Sequence, residues 1–108
     1  MYGLKSETIN AIREVLSNYP EVEKAILYGS RAKGNFHAGS DIDLTLMGDG
    51  LNITTLQKIE NDLDDLFLPY KIDLSLYRQI NNTYLLDHIR RVGKVFYDKS
   101  TFVARRSL

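Results

Sequence analysis

The chain has 108 residues, of which 14 are basic and 14 acidic, so its formal net charge is zero. This length fits one compact domain, and the balanced charge provides no global field that would attract DNA or an anionic membrane. The absence of cysteine excludes disulfides, thiolate metal sites and cysteine nucleophiles. The start lacks the apolar segment of a secretory signal, and no apolar run approaches the roughly 18 residues of a membrane span. We therefore expect a cytoplasmic protein with no membrane partner and no direct nucleic-acid partner.

The first half of the chain predicts two helices and two strands. Apolar residues recur at spacings of three and four over Ser6–Tyr19, which predicts an amphipathic helix. Val22–Tyr28 is rich in branched and aromatic residues and stops at Gly29, as a strand does before a tight turn. A short helix should follow over Ser30–Lys33. Strict alternation over Asp41–Leu46 then predicts a half-buried strand.

The second half continues the alternation of helices and strands. A helix is predicted over Ile53–Leu66, a strand over Lys71–Tyr77, a helix over Thr83–Val92 and a short strand over Lys94–Tyr97. The fold class is therefore α/β, of the α+β kind, with a mixed sheet of about four strands and helices packed on one face. We expect the domain to occupy residues 1–97, and residues 98–108 to form a frayed or partner-bound tail.

Three aspartates form the first part of a candidate site. Residues two apart in a strand project on the same face, so Asp41 and Asp43 point together, and Asp73 is placed in the same way on the third strand. If these strands are neighbours, three carboxylates converge, which is unfavourable for like charges unless cations bind there. Magnesium prefers oxygen ligands and completes its shell with water and phosphate. Asp41, Asp43 and Asp73 are therefore the candidate catalytic residues and the candidate ligands of two Mg²⁺ ions.

The turn after the first strand supplies candidate phosphate contacts. Gly29 allows close backbone approach, Ser30 begins the short helix whose free amides can bind phosphate, and Arg31 and Lys33 add positive charge. The ten residues between Ser30 and Asp41 are barely enough for a parallel crossover. The first two strands should therefore run antiparallel, which brings Ser30 and Asp41 together around one triphosphate.

The segment LYGSRAKGNFHAGSDIDL, with Gly-Ser, ten residues and then Asp-x-Asp, resembles the motif of the DNA polymerase beta type nucleotidyltransferase superfamily. The size resembles its minimal members, the MntA-type antitoxins that are paired with HEPN ribonuclease toxins and in some cases adenylylate a toxin tyrosine. The resemblance implies that Asp41 and Asp43 bind both metals and that Asp73 holds the metal that activates the acceptor. It also implies that Ser30 contacts the terminal phosphates of ATP, and that the activity is transfer of AMP from ATP to a hydroxyl of a HEPN toxin.

Other interpretations of the same residues stay open. The domain could neutralise its toxin by binding alone, with transfer slow or absent. Transfer to a small molecule is disfavoured because the chain is too short for extra substrate-binding segments, and a polymerase role is disfavoured because no basic face for a template is evident. His37 is expected to be an exposed loop histidine with no role in the reaction. Tyr28 is expected to pack within the fold rather than to take part in catalysis. The nucleotide, the acceptor and the oligomeric state, homo- or hetero-oligomeric, are not determined by the sequence.

Overall fold

A computed structural model describes residues 1–102, which form one domain of helices around a four-stranded sheet. Positions 103–108 of the predicted tail lie outside the described residues. The elements in chain order are α1 Ser6–Ser17, β1 Lys24–Tyr28, α2 Gly29–Lys33, β2 Ile42–Met47, α3 Ile53–Asp64, β3 Ile72–Leu76, a 3₁₀ turn Tyr77–Gln79, α4 Thr83–Val92 and β4 Lys94–Asp98. Each predicted helix and strand is present, with differences of a few residues at the ends.

The sheet is mixed and has the strand order β3-β2-β1-β4. β1 runs antiparallel to both β2 and β4, whereas β2 and β3 run parallel. The antiparallel pairing of β1 with β2 confirms the inference from the short connection between them. The parallel pairing of β2 with β3 is possible because α3 forms the long crossover that parallel strands require.

One face of the sheet carries the hydrophobic core. The alternation of β2 and β3 places Ile42, Leu44 and Leu74 on this face, where they belong to a single buried cluster with apolar residues of α1 and α3. The other face carries the intervening residues, among them Asp43 and Asp73. The sheet therefore separates an apolar face, covered by two helices, from a polar face that is free for chemistry.

The fourth helix has a different position from α1 and α3. It packs against β1 and α2, and a methyl group at Gly93, just beyond its end, would meet the side chain of Ile26 at 2.8 Å. Its residue His88 lies edge-on to the ring of Tyr28, with 6.2 Å between the ring centroids. Because Tyr28 pairs with Asp43 in the sheet, α4 borders the polar face. The helices are thus not all on one face, and this refines the predicted packing.

The predicted tail is ordered as far as the structure describes it. β4 extends to Asp98, and the amide of Lys99 donates to the carbonyl oxygen of Glu23 at 2.9 Å. Phe102 packs against the core, with its ring 5.6 Å from that of Tyr97. Backbone pairing and an aromatic contact, neither of which has a sequence periodicity, thus join residues 98–102 to the rest of the domain. Within residues 1–102, no helix has the length and apolar character to cross a membrane.

Candidate functional site

The polar face carries a row of three side chains, one from each of the strands β1, β2 and β3. Tyr28 is the register partner of Asp43 in the antiparallel pair, and Asp43 is the register partner of Asp73 in the parallel pair. Paired residues project to the same side of a sheet, so the carboxylates of Asp43 and Asp73 are neighbours. Asp41 immediately precedes β2 and is exposed, as is Asp73, whereas Asp43 is half-buried.

Asp43 is the electrostatically perturbed member of this row. Its pKa is raised above the ordinary value of 3.8, first by burial and then by the negative charges of Asp73 and Asp41. The charge of His88, when its ring is protonated, and the positive charge of Lys71 oppose this shift. The ionised form of Asp43 is therefore unfavourable at this position, and a bound cation would relieve both causes.

The oxygen atoms of these carboxylates suit magnesium, although the side chains do not surround an ion on all sides. Among residues 1–102, no three histidine, cysteine, aspartate or glutamate side chains are arranged as a complete ligand cluster. Asp43 and Asp73 share a face of the sheet, and Asp41 lies near enough to add to the negative charge around Asp43. Magnesium is commonly held by one or two carboxylates, with water and substrate phosphates completing the shell, so the residues present fit such an ion.

Gly29 links the first strand to the carboxylates. It is the first residue of α2 and has a φ of +75°, which L side chains rarely adopt. A Cβ at this position would lie 2.3 Å from Oδ2 of Asp43. Only glycine satisfies both conditions, so the backbone of the Gly-Ser turn lies directly against the central carboxylate.

The residues after Gly29 take different positions. Ser30 follows Gly29 in the first turn of α2 and is partly exposed, and Lys33 is exposed at the end of the same helix. Gly34, with a φ of +90°, ends the helix, and its amide donates to the carbonyl oxygen of Ser30 at 2.9 Å. Ser30 and Lys33 are thus accessible to a ligand.

Arg31 corrects an expectation, because its side chain is only 2% exposed and holds the loop before β2 together. The guanidinium stacks between two rings, 5.3 Å from the centroid of Phe36 and 4.9 Å from that of Tyr70. Its nitrogens donate to the backbone carbonyl oxygens of Tyr2 at 2.9 Å, Ser40 at 2.8 and 3.0 Å, and Ala38 at 3.3 Å. With its donors directed to carbonyl groups and its faces covered, Arg31 is a structural residue and not a phosphate contact.

The structure adds a residue that the sequence did not indicate. Nε2 of His88, on α4, accepts a hydrogen bond of 3.0 Å from the amide of Gly29. The ring of His88 also contacts Tyr28, which is buried. Burial raises the pKa of Tyr28, and the charges of Asp73 and Asp43 raise it further, against a hydrogen bond with Ser75 that lowers it. No sequence motif could reveal His88, because 59 positions separate it from Gly29.

Comparison with known proteins identifies relatives of this arrangement. Residues 10–102 match the family model described as "Polymerase beta, Nucleotidyltransferase". No curated protein sequence matches the chain closely enough to count as a relative.

Several solved structures share the fold. A crystal structure of a toxin–antitoxin with AMP-PNP is 25% identical, with a TM-score of 0.67 over 83% of this chain and 73% of that chain. A tri-AMPylated Shewanella oneidensis HEPN toxin in complex with its MNT antitoxin contains a chain that is 20% identical, with a TM-score of 0.65 over 90% of this chain and 75% of that chain. The toxin–antitoxin MntA–HepT contains one that is 20% identical, with a TM-score of 0.63 over 89% and 74%.

Proposed function

Because the chain belongs to the polymerase beta nucleotidyltransferase family, we propose that it transfers AMP from ATP to a hydroxyl group, and that the acceptor is a tyrosine of a partner HEPN toxin. In this role the protein acts as an antitoxin. The hydroxyl oxygen attacks the α-phosphorus and forms the new O–P bond, and the hydroxyl proton is released to water. The bond between the α-phosphorus and the oxygen that bridges it to the β-phosphate breaks, and pyrophosphate leaves.

The observation that carries this proposal is the pairing of Asp43 with Asp73 beside the Gly29–Ser30 turn. Two carboxylates at one register position create a local negative potential, and the glycine turn brings backbone within contact distance of one of them. A structural role would not require this arrangement, since the raised pKa of Asp43 makes its ionised form unfavourable for folding. Such a concentration of like charge is typical of a functional site.

The candidate residues divide into metal ligands and phosphate contacts in the proposed reaction. Asp41, Asp43 and Asp73 would hold Mg²⁺, and Ser30 would contact the terminal phosphates. Lys33, exposed on the same short helix, would add positive charge near the departing pyrophosphate. When bound, Mg²⁺ offsets the negative charge of the phosphate oxygens during an in-line displacement.

The acceptor is proposed to bring its own surface to the site. Asp41 and Asp73 are exposed, so a tyrosine that protrudes from a partner protein could approach them. A toxin as the partner is supported by the toxin–antitoxin structure with AMP-PNP, and adenylylation of such a partner by the tri-AMPylated HEPN toxin complex, whose antitoxin shares the fold.

The test is adenylylation of the cognate HEPN protein. Wild-type protein, magnesium and ATP are incubated with the partner, and intact-protein mass spectrometry is expected to detect one or more added adenylyl groups, which peptide mapping locates on tyrosine. Ser30→Ala and Asp43→Asn should reduce the gain strongly. Thr54→Ala removes an exposed hydroxyl on α3 and serves as the matched control for Ser30→Ala. This control variant should add as many adenylyl groups as wild type does.

The binding-only interpretation makes the opposite prediction. If the antitoxin neutralises its toxin by covering it, the two proteins form a stable complex whose masses do not change with any common nucleotide. That result with wild-type protein and a confirmed partner would contradict the proposed transfer and leave the fold assignment intact.

A further inference from the structure

We propose that His88 is a positioning residue for nucleotide binding: from α4, at the border of the polar face, it fixes the Gly29–Ser30 turn against Asp43. The inference rests on the proposed function, because the nucleotide is the ligand whose phosphates that turn would contact.

The hydrogen bond from Gly29 to His88 satisfies an amide that has no partner within its own helix. Gly29 is the first residue of α2, and the first amides of a helix lack intrahelical acceptors. Nε2 of His88 supplies the acceptor at 3.0 Å. The Gly29 amide is therefore engaged by the protein, and the phosphate contacts fall to the following residue, Ser30.

The contact also fixes a conformation that has little freedom to vary. Gly29 has a left-handed φ of +75° and lies so close to Asp43 that a Cβ would be 2.3 Å from its Oδ2. Glycine has no side chain, so its backbone can adopt many other φ values at little cost. Holding its amide from α4 prevents such displacement and keeps the distance between Ser30 and the carboxylate row constant.

His88 itself is held in place by neighbouring residues. Its ring contacts the buried Tyr28 edge-on, at 81° between ring planes. The next residue, Ile89, is buried in the same helix and anchors α4. Nε2 accepts the hydrogen bond from the Gly29 amide through its lone pair. The direction of the acceptor lone pair is thus set by packing.

The experiment compares three variants. His88→Phe keeps a planar ring but removes the acceptor, and His88→Gln restores an acceptor oxygen on a flexible chain. The control is His37→Phe, because Nδ1 of His37 accepts a hydrogen bond of 3.2 Å from the amide of Gly39 in an exposed loop. The two histidines make the same kind of contact to a glycine, and only one of those glycines belongs to the candidate site.

The first measurement is made without nucleotide. Hydrogen exchange of the Gly29 amide, followed by NMR, is expected to accelerate in His88→Phe, to recover in part in His88→Gln and to stay at the wild-type rate in His37→Phe. Unchanged exchange in His88→Phe would overturn the proposal, whether or not the protein proves to be an enzyme.

The second measurement separates positioning from a general loss of folded protein. Loss of one neutral hydrogen bond should raise the dissociation constant and the KM for magnesium-ATP about 3- to 10-fold in His88→Phe. The kcat per folded molecule should stay within about twofold, because the contact acts on ground-state binding. Unchanged KM and kcat per folded molecule would indicate a merely structural role, and a lower kcat with unchanged KM would place the contact in the transition state; either result would overturn the proposal. Wild-type protein that binds no magnesium-ATP would instead contradict the proposed function, and the exchange result would remain as a separate test of the contact.

Discussion

Arg31 and Asp43 are two charged side chains that flank one loop, the first buried and the second half-buried. They differ in how far their charges are compensated by neighbouring groups. Arg31 is stacked between two rings and donates to backbone carbonyl oxygens, so its burial is compensated. Asp43 is half-buried beside two further carboxylates, which raise its pKa along with burial. The first charge is satisfied by the fold, whereas the second is left unsatisfied.

This difference distinguishes a charge that stabilises the fold from a charge that is available for function, within one short segment. A compensated buried charge stabilises the loop that carries it, and its removal leaves polar groups without partners. An uncompensated charge works against folding and is useful only when a ligand of opposite charge arrives. Removal of Arg31 should therefore damage stability, and removal of the carboxylates should damage activity while leaving the fold intact.

The largest expected effect is on activity, in the double variant Asp41→Asn with Asp43→Asn. Transfer should fall by at least about 100-fold, because metal-assisted charge stabilisation is worth several kcal/mol in the transition state. Circular dichroism should report an unchanged fold. The control is Asp64→Asn with Asp65→Asn, two exposed carboxylates at the end of α3, which should keep full activity. Equal activity of both double variants would remove the catalytic assignment.

The next effect is on stability, in Arg31→Ala. Three carbonyl groups lose their donor and two rings lose a stacking partner, so the free energy of unfolding should fall by about 2–4 kcal/mol. Lys33→Ala, an exposed change in the same helix, should alter it by less than about 0.5 kcal/mol. Urea denaturation measures both. Similar losses in the two variants would refute the structural role of Arg31.

The smallest effect concerns the pH dependence of stability, in Asp43→Asn. The folded-state pKa of Asp43 is raised, so ionised Asp43 is unfavourable in the folded protein above that pKa, and this penalty vanishes as pH falls toward the ordinary value of 3.8. Without divalent cations, the variant should melt higher than wild type at neutral pH. The half-exposed site limits the gain to less than about 1 kcal/mol, or a few degrees in Tm.

The difference in Tm should shrink toward zero as pH approaches 4. Added magnesium should raise the Tm of wild type more than that of the variant, because ligand binding stabilises the folded state. A variant that melts lower than wild type at pH 7, or a gap that widens in acid, would contradict the unfavourable charge at Asp43.

Local patterns in the sequence were sufficient for the elements and for the paired carboxylates. Period-two alternation predicts which strand residues share a face, so the common face of Asp43 and Asp73 followed once their strands were neighbours. The short connection between Ser30 and Asp41 likewise determined the antiparallel pairing of β1 and β2. These are properties of adjacent residues, and the chain encodes them locally.

Tertiary structure alone decided the contacts of Arg31 and His88 and those of residues 98–102. Beside the motif, Arg31 looked like a phosphate contact, but it is covered by the ring of Phe36 from the following loop and by the ring of Tyr70 from a distant part of the chain. His88 reaches Gly29 only because α4 returns to β1. Contacts between residues far apart in sequence depend on how the elements pack, and such packing has no period or spacing that a single sequence displays.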